Sequence, residues 1–258
     1  MDDDSVIRVE DLNLSFGGVR AVQNLTFSVP ARQIYSIIGP NGAGKTSVLN
    51  CINGFYRPNS GKIFYKGRDI TYLTAHQRAK LGIARVFQGI EIYRTMSVID
   101  NIMSGRHIRM SSNPILCSLF IGRAKREELE NRAIVEEIID FLNLERYRKL
   151  PAGALSIGIQ KRIALGRALA LDPAVLLLDE PMAGMSIEEK EDMCRYIVDI
   201  CEERGVTVIL VEHDMGVVKD LSHIVMVMDR GLKIAEGKPQ EVFKNVDVIK
   251  AYIGEGVA

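Results

Sequence analysis

The sequence predicts an α/β protein built on a mainly parallel sheet. Apolar runs that end in polar residues alternate with helical patterns in the last third of the chain, as in VLLLDE at 175–180 and VILVEH at 208–213. A further apolar run, QIYSII at 33–38, leads into a glycine-rich loop and then a helical pattern. Strands that alternate with helices are typical of parallel sheets. A length of 258 residues fits one large domain or two small ones.

The first part of the chain has a different pattern. Residues 6–29, VIRVEDLNLSFGGVRAVQNLTFSV, alternate apolar and polar side chains around Gly17 and Gly18. This pattern predicts a β-hairpin. GKIFYKGRDI at 61–70 predicts another hairpin at a sheet edge. We therefore expect antiparallel strands in this part of the chain.

The middle of the chain, 89–155, is predicted to be a helical insertion. AKREELENRAIVEEIIDFLNL at 124–144 reads as an amphipathic helix, with apolar residues at helical spacing. These residues are Leu129, Ile134, Ile138, Phe141 and Leu142. The apolar stretch Asn113–Gly122 fits either a core helix or a surface for a partner. The remaining core is expected to comprise 1–88 and 156–258.

Composition excludes some classes of function. The chain has 33 Lys and Arg and 33 Asp and Glu, so its net charge of zero argues against broad capture of nucleic acid. The four cysteines lack the paired spacing of a zinc site and are expected to be reduced, buried thiols. No apolar run approaches the roughly 18 residues that span a bilayer, and the N-terminus lacks a signal-like apolar segment. A membrane role would therefore come through a partner.

The strongest motif is GPNGAGKTS at 39–47, which fits the G-x-x-x-x-G-K-[ST] phosphate loop. Its glycines let successive backbone N–H groups turn towards phosphates, and the following helix presents its positive N-terminal end. Lys45 is expected to reach the β- and γ-phosphates, and the Thr46 hydroxyl to bind Mg²⁺. A strand before the loop and a helix after it are the context that the motif requires.

Two acids follow the apolar strand at 175–178. Asp179 is the candidate ligand of Mg²⁺ and Glu180 the candidate that polarises the attacking water. The carboxyl ends of parallel strands are where α/β proteins bind ligands. Alone, an acidic pair after a strand is often only a helix cap, but together with the phosphate loop it predicts a nucleotide-hydrolysing site.

Two further residues become candidates in this context. His213 also follows an apolar strand. A lone histidine there is more often a packed or exposed bystander, but beside a phosphate loop it is expected to contact the γ-phosphate. Gln88 lies between a predicted strand and the helical insertion. It is expected to reach Mg²⁺ and the water while moving with the insertion. The predicted catalytic residues are thus Glu180, His213, Gln88 and Lys45, and the predicted metal ligands are Thr46, Gln88 and Asp179.

Together these residues resemble ABC-type ATPases. The phosphate loop, Gln88, LSIG at 155–158, LLLDEP at 176–181 and His213 occur in the order of that family along nearly the whole chain. The resemblance implies a single domain over 1–258, with a RecA-like P-loop core, an antiparallel β-subdomain and an inserted helical subdomain. It also implies two cassettes that enclose two ATP molecules head to tail, with LSIG of one facing the phosphate loop of the other. The implied nucleotide contacts are Phe16, Gly39, Asn41, Gly42, Ala43, Gly44, Lys45, Thr46 and Ser47, with Ser156 and Gly158 acting in trans.

The finer resemblance is to the cassettes of branched-chain amino acid importers. GIEIYRTMSVIDNI at 89–102, PMAGM at 181–185 and VEHDM at 211–215 are similar to that subgroup. It implies transmembrane permease subunits, a second identical or paralogous cassette, and indirectly an extracytoplasmic solute-binding protein. The chain would then lie at the cytoplasmic face of the membrane. In that subgroup Phe16 would stack on the adenine of ATP. The apolar periodicity of the strand alone equally fits packing of Phe16 in a strand core.

Three positions depart from the family pattern. Ile157 and Ile159 stand within the LS-x-G signature region, and Ser186 stands where an aspartate is usual. Ser156 and Gly158 are retained, and Ser156 is a good N-cap for the helix that follows. The departures bear on turnover more than on ATP binding, and we expect the Ile159 side chain to serve helix packing.

Other functions remain as alternatives. Lipopolysaccharide-export cassettes share much of this pattern but have a shorter middle segment. Chromosome-maintenance ATPases, which act on DNA, need a long coiled coil between the two nucleotide motifs, and no sustained heptads occur there. Ribosome-acting relatives usually carry two cassettes, and this chain has one. A nucleotide-binding scaffold without turnover is disfavoured by the presence of both Glu180 and His213.

Overall fold

The computed structural model describes residues 5–109 and 123–253, and the strands of this part form two sheets. The strands are β1 (Ser5–Phe16), β2 (Val19–Pro30), β3 (Ile34–Ile38), β4 (Ser60–Tyr65), β5 (Arg68–Asp69), β6 (Ile83–Val86), β7 (Val175–Asp179), β8 (Thr207–Val211), β9 (Ile224–Asp229) and β10 (Leu232–Gly237). The α-helices are α1 (Lys45–Asn53), α2 (Ala75–Leu81), α3 (Val98–Ser104), α4 (Arg123–Phe141), α5 (Ile157–Leu169), α6 (Ile187–Glu202), α7 (Met215–Leu221), α8 (Pro239–Val242) and α9 (Val246–Ile253).

The larger sheet has six strands in the order β10-β9-β3-β8-β7-β6. Five of them run parallel, and β10 pairs antiparallel with β9. The parallel α/β architecture is therefore confirmed. Strands β3, β6, β7 and β8 all end at one edge of the sheet, so the loops that follow them lie close together.

The smaller sheet is antiparallel, in the order β2-β1-β4-β5. Gly17, with a φ of 57°, occupies the left-handed region where the chain turns from β1 into β2. Both hairpins predicted from the sequence are present, and β5 forms the sheet edge as expected.

Strand β7 is buried along its whole length, with its side chains facing two apolar layers. Val175 and Leu177 pack with α1 and the antiparallel sheet. Leu176 and Leu178 pack with α5 and α6. The alternation follows from the period of two in a strand, and it fixes which side chains can reach the end of the sheet.

The described part of 89–155 contains the helices α3 and α4, and α4 has a buried face formed by Asn131, Val135, Ile138 and Ile139, with the buried Leu142 directly after the helix. Leu129 was predicted on this face but is 54% exposed. It precedes Ile138 by nine positions, which at about 100° per residue places it on the opposite side of the helix. The stretch Asn113–Gly122 and Cys117 lie outside the described residues, and the boundaries of the helical insertion stay a prediction.

The cysteines of the described part are free, as predicted: Cys51 and Cys201 are buried and Cys194 is half-buried. Burial raises the pKa of the Cys51 thiol to about 12 and that of Cys201 to about 11. Within residues 5–109 and 123–253, no helix combines the length and apolarity needed to cross a membrane.

Arg78 on α2 holds the C-terminal end of α1, although it is fully buried. Its guanidinium donates to the carbonyl oxygens of Cys51 at 2.5 Å and Ile52 at 2.7 Å, and to those of Thr71 and Leu73. Burial lowers the pKa of Arg78 to about 10, and the nearby Cys51 and Asp69 oppose that shift. Because α1 begins in the glycine-rich loop, this arginine fixes the helix that follows the predicted phosphate site.

We expect Arg78→Met to lower the free energy of unfolding by about 3 kcal/mol, because it leaves buried carbonyl groups without a donor. Arg78→Lys should recover part of the loss. Urea denaturation monitored by circular dichroism gives the measurement. Lys80→Met, an exposed site on the same helix, is the control. Equal stability of Arg78→Met and Lys80→Met would contradict this role of Arg78.

Candidate nucleotide site

The glycine-rich loop joins β3 to α1 in a conformation that requires glycine. Gly39, Gly42 and Gly44 have φ values of 147°, 78° and 99°. A Cβ atom at Gly39 would lie 2.0 Å from the carbonyl oxygen of Met228, and one at Gly44 would lie 2.2 Å from that of Ala21. The loop is therefore packed between β9 and β2 with no room for side chains at these two positions.

Lys45 is buried at the start of α1, with its side chain inside the loop. Its Nζ atom donates to the carbonyl oxygens of Gly39 at 2.7 Å and Pro40 at 2.9 Å. The ammonium is thus held where the loop backbone curls. Thr46 and Ser47 follow in the first turn of α1, whose N–H groups point towards the loop.

The other predicted loop residues border a cavity of about 520 Å³. Asn41, Gly42 and Ala43 form one wall. The opposite wall comes from the end of β9 and from α9. The loop therefore has open space on its outer side, next to the C-terminal helix.

Thr46 and Asp179 are brought together at the sheet edge. The Thr46 hydroxyl donates to Asp179 Oδ1 at 3.2 Å. Asp179 is 1% exposed at the end of β7, and its Oδ2 pairs with the guanidinium of Arg85 at 2.9 Å. Burial raises the pKa of Asp179, while Arg85 and Thr46 oppose that shift. Two hard oxygen atoms thus meet beside the phosphate loop.

Arg85 was not singled out from the sequence. It extends from β6, donates to Asn50 Oδ1 on α1 at 2.5 Å, and lies over the ring of Phe87. An arginine inside the apolar run IARVF is the only sequence signal that could have indicated it. Its role is to link the acid on β7 to the helix of the phosphate loop.

Gln88 and Glu180 also meet, since the Gln88 side-chain amide donates to Glu180 Oε2 at 2.7 Å. Glu180 has a φ of 48°, a left-handed backbone that is unusual for a residue with a side chain. Its N–H donates to the carbonyl oxygen of Val211 at the end of β8. Non-glycine residues persist in this region where their surroundings hold them, often at functional sites.

His213 follows β8 and is exposed at the same edge of the sheet. Glu212, which sequence reasoning missed, is 1% exposed just before it. Its carboxylate accepts the N–H groups of Met182 at 3.1 Å and His213 at 3.2 Å. Burial raises the pKa of Glu212, and the two backbone bonds oppose that shift.

Phe16 lies at the end of β1 with 46% of its surface exposed. Its ring meets that of Tyr56 edge-on, with 5.0 Å between centroids. Packing in the strand core, the alternative to a nucleotide contact, is therefore wrong. The ring is available for stacking with a planar group.

Ser156 and Gly158 contact Glu189. Ser156 caps α5, since its Oγ accepts the N–H of Ile159, and the same hydroxyl donates to Glu189 Oε1 at 3.3 Å. A Cβ atom at Gly158 would lie 2.2 Å from Glu189 Oε1. Glu189 also completes a capping box with Ser186 at the start of α6. The start of α5 is thus joined to the start of α6 in the same chain.

The two isoleucines of this region have different surroundings. Ile157 is 50% exposed, whereas Ile159 is 8% exposed and packs in the core with α6.

Two residues further along, Lys161 is buried and donates to the carbonyl oxygens of Ala183 at 2.6 Å and Glu180 at 3.3 Å. The sequence did not predict a role for Lys161, because its partners are distant in the chain.

The chain is similar to known cassette proteins over almost its whole length. Residues 22–183 match the family described as ABC transporter, and residues 233–258 match the one described as branched-chain amino acid ATP-binding cassette transporter. The high-affinity branched-chain amino acid transport ATP-binding protein BraF of Pseudomonas aeruginosa is 37% identical, with 97% of this chain and 98% of that protein covered. The protein LivG of Salmonella typhimurium is 36% identical at the same coverage.

Solved structures agree with the sequence relatives. A nucleotide-free ATP-binding cassette from an ABC transporter has a TM-score of 0.84 and 29% identity, with 97% of this chain and 99% of that chain covered. The fold predicted from the motifs is therefore confirmed. The chain belongs to the ABC transporter family, as an ATP-binding cassette that hydrolyses ATP.

Proposed function

We propose that the chain powers the import of branched-chain amino acids or related small carboxylates through a membrane transporter. The observation that carries this proposal is the similarity to BraF and LivG along 97% of the chain. The match of residues 233–258 to the branched-chain amino acid cassette family supports it. The solute itself would be bound by other subunits.

The proposed partners follow from this role. A second cassette, identical or paralogous, completes each ATP site by presenting Ser156 and Gly158 at the N-terminus of α5. Permease subunits hold the cassettes at the cytoplasmic face of the membrane, and a solute-binding protein acts on its other side. A groove near Gln88 passes the motion of the cassettes to the permease, since Gln88 lies between β6 and α3.

The residues at the sheet edge fit a Mg²⁺ ion bound with ATP. Magnesium prefers one or two protein oxygens together with phosphate oxygens and waters. The Thr46 hydroxyl and Asp179 Oδ1, 3.2 Å apart beside the phosphate loop, supply such oxygens. The third proposed ligand is the side-chain oxygen of Gln88, whose amide nitrogen donates to the neighbouring Glu180. When bound, Mg²⁺ would neutralise the charge that develops on the phosphates.

In the proposed hydrolysis, the loop N–H groups and Lys45 bind the phosphates, and Phe16 stacks on the adenine. Glu180 polarises a water whose oxygen attacks the γ-phosphorus as the bond to ADP breaks, and it accepts the proton. Gln88 orients the Glu180 carboxylate, to which it is already bonded. His213 contacts the γ-phosphate and registers its departure.

Lys45→Ala is expected to lower ATP hydrolysis by about 100-fold or more, because one fixed cation at the phosphates is lost. Phosphate release and binding of a fluorescent ATP analogue give the measurement. Lys80→Ala, at an exposed site, serves as the control. Unchanged activity of Lys45→Ala would overturn the assignment of the phosphate loop.

Glu180→Gln is expected to slow hydrolysis by about 100-fold or more, since it removes the general base, and to trap an ATP-bound dimer. Light scattering with size-exclusion chromatography detects the dimer. Glu188→Gln, an exposed change of the same kind, should leave both properties unchanged. Normal turnover of Glu180→Gln without a dimer would exclude the proposed role of Glu180.

Ile159→Gln tests the unusual residue of the signature. We expect the dimer to persist, because Ile159 lies in the core, while stability falls by about 1–3 kcal/mol as a polar amide replaces a packed side chain. Ile157→Gln, at the exposed position, should change stability by less than about 0.5 kcal/mol. Thermal unfolding measures the change in stability, and size-exclusion chromatography with light scattering shows whether the dimer persists. Loss of the dimer would contradict a packing role, and a gain in turnover would show that isoleucine lowers the rate.

A further inference from the structure

The turn that follows β7 is held in an unusual backbone conformation. Glu180 has a φ of 48°, and its carbonyl oxygen accepts the N–H of Ala183 at 3.3 Å to close the turn. A glutamate in the left-handed region is disfavoured by contact between its Cβ and the backbone. The conformation therefore depends on groups outside the turn.

Groups at the end of β8 hold one side of this turn. The carbonyl oxygen of Val211 accepts the N–H of Glu180 at 2.9 Å. The carboxylate of Glu212 accepts the N–H of Met182 at 3.1 Å. Both groups bind N–H donors of the turn, so its carbonyl oxygens can still accept further donors from other elements.

Lys161 supplies those donors from α5. Its Nζ atom lies 2.6 Å from the carbonyl oxygen of Ala183 and 3.3 Å from that of Glu180, at the two ends of the turn. The side chain is 7% exposed. A buried ammonium between two carbonyl oxygens has little freedom to move, because its charge and donors are satisfied only in that place.

The charge of Lys161 is matched by its surroundings. Glu212 and Glu180 oppose the lowering of its pKa that burial causes. Glu212 is itself buried, and its carboxylate accepts the backbone N–H groups of Met182 and His213. The turn thus lies between a cation on α5 and an anion after β8.

We propose that Lys161 is a positioning residue that holds the turn so that the Glu180 carboxylate faces the attacking water. This inference rests on the proposed function, in which Glu180 is the general base. Gln88 fixes the carboxylate at its Oε2 atom, and Lys161 fixes the backbone from which that carboxylate extends. Removing Lys161 lets the backbone relax and misdirects the base.

The position of Lys161 on α5 adds a connection between the two ATP sites. Ser156 at the start of this helix faces the nucleotide of the second cassette in the proposed dimer. Lys161 lies about one and a half turns further along the same rigid helix. The helix that would face that nucleotide is thus joined to the turn after β7 of the same chain by two hydrogen bonds, one to Glu180 and one to Ala183.

Substitutions of Lys161 test the proposal by steady-state ATP hydrolysis. Lys161→Met keeps the aliphatic chain without its donors, and we expect kcat to fall by about 10- to 100-fold, as for a misplaced catalytic group. KM for ATP should change by less than about twofold, since the phosphate-binding groups are untouched. Lys161→Arg retains donors and should recover most of kcat.

Arg167→Met is the control and should leave kcat unchanged. Arg167 lies on α5, as Lys161 does, but its guanidinium lies over the ring of Tyr93. If Lys161→Met does not fold, Lys161→Gln replaces it, with the same expected fall in kcat. An unchanged kcat in whichever variant folds would overturn the proposal, as would a raised KM at constant kcat.

A double-mutant comparison separates positioning of Glu180 from a general structural effect. If Lys161 acts through Glu180, adding Lys161→Met to Glu180→Gln should lower the residual rate by less than about twofold. The same 10- to 100-fold loss in both backgrounds would overturn the proposal. If Glu180→Gln alone leaves the rate unchanged, the proposed role of Glu180 fails. If it slows hydrolysis while the Lys161 variants do not, only this inference fails.

Discussion

The parallel pairing of β3, β8, β7 and β6 is the constraint on which the site depends. Because these strands run in one direction, the residues after each of them meet at one edge of the sheet. The phosphate loop follows β3, Gln88 follows β6, and Glu180 follows β7. These residues are far apart in the sequence, yet hydrogen bonds join Thr46 to Asp179 and Gln88 to Glu180.

Burial gives these contacts their strength. Asp179 is almost fully buried, so its charge needs the guanidinium of Arg85, and Arg85 in turn reaches α1 through Asn50. A buried ion pair contributes little net stability, but breaking it leaves an uncompensated charge. The pair therefore limits the arrangements that β6, β7 and α1 can adopt. It favours a single geometry around the loop.

Much of the fold was predictable because its signals are local. The period of the apolar residues indicated the strands, the Gly17-Gly18 pair indicated the first hairpin, and the order of the motifs indicated the family. The site residues that follow strands could be found in the same way. Leu129 shows where a local signal misleads, since an apolar residue near a helical pattern can still lie on the outer face.

Arg85, Lys161 and Glu212 could not be predicted for a physical reason. Their roles depend on burial and on partners from other strands and helices, as when Lys161 on α5 binds carbonyl oxygens after β7. A charged residue within an apolar run does suggest a buried pair. The sequence does not identify the partner, because the register and packing of separate elements decide it.

The surroundings of Ile157 and Ile159 bear on how cassettes of this kind are recognised in genomes. One side chain is half exposed and the other lies in the core, although only one residue separates them. Different physical requirements therefore limit which residues can replace them. A residue at 157 must suit an exposed surface, and a residue at 159 must fit the packing of the core. A search that scores the signature as a single string of letters would undervalue this chain. A search that weighs each position by its surroundings would not.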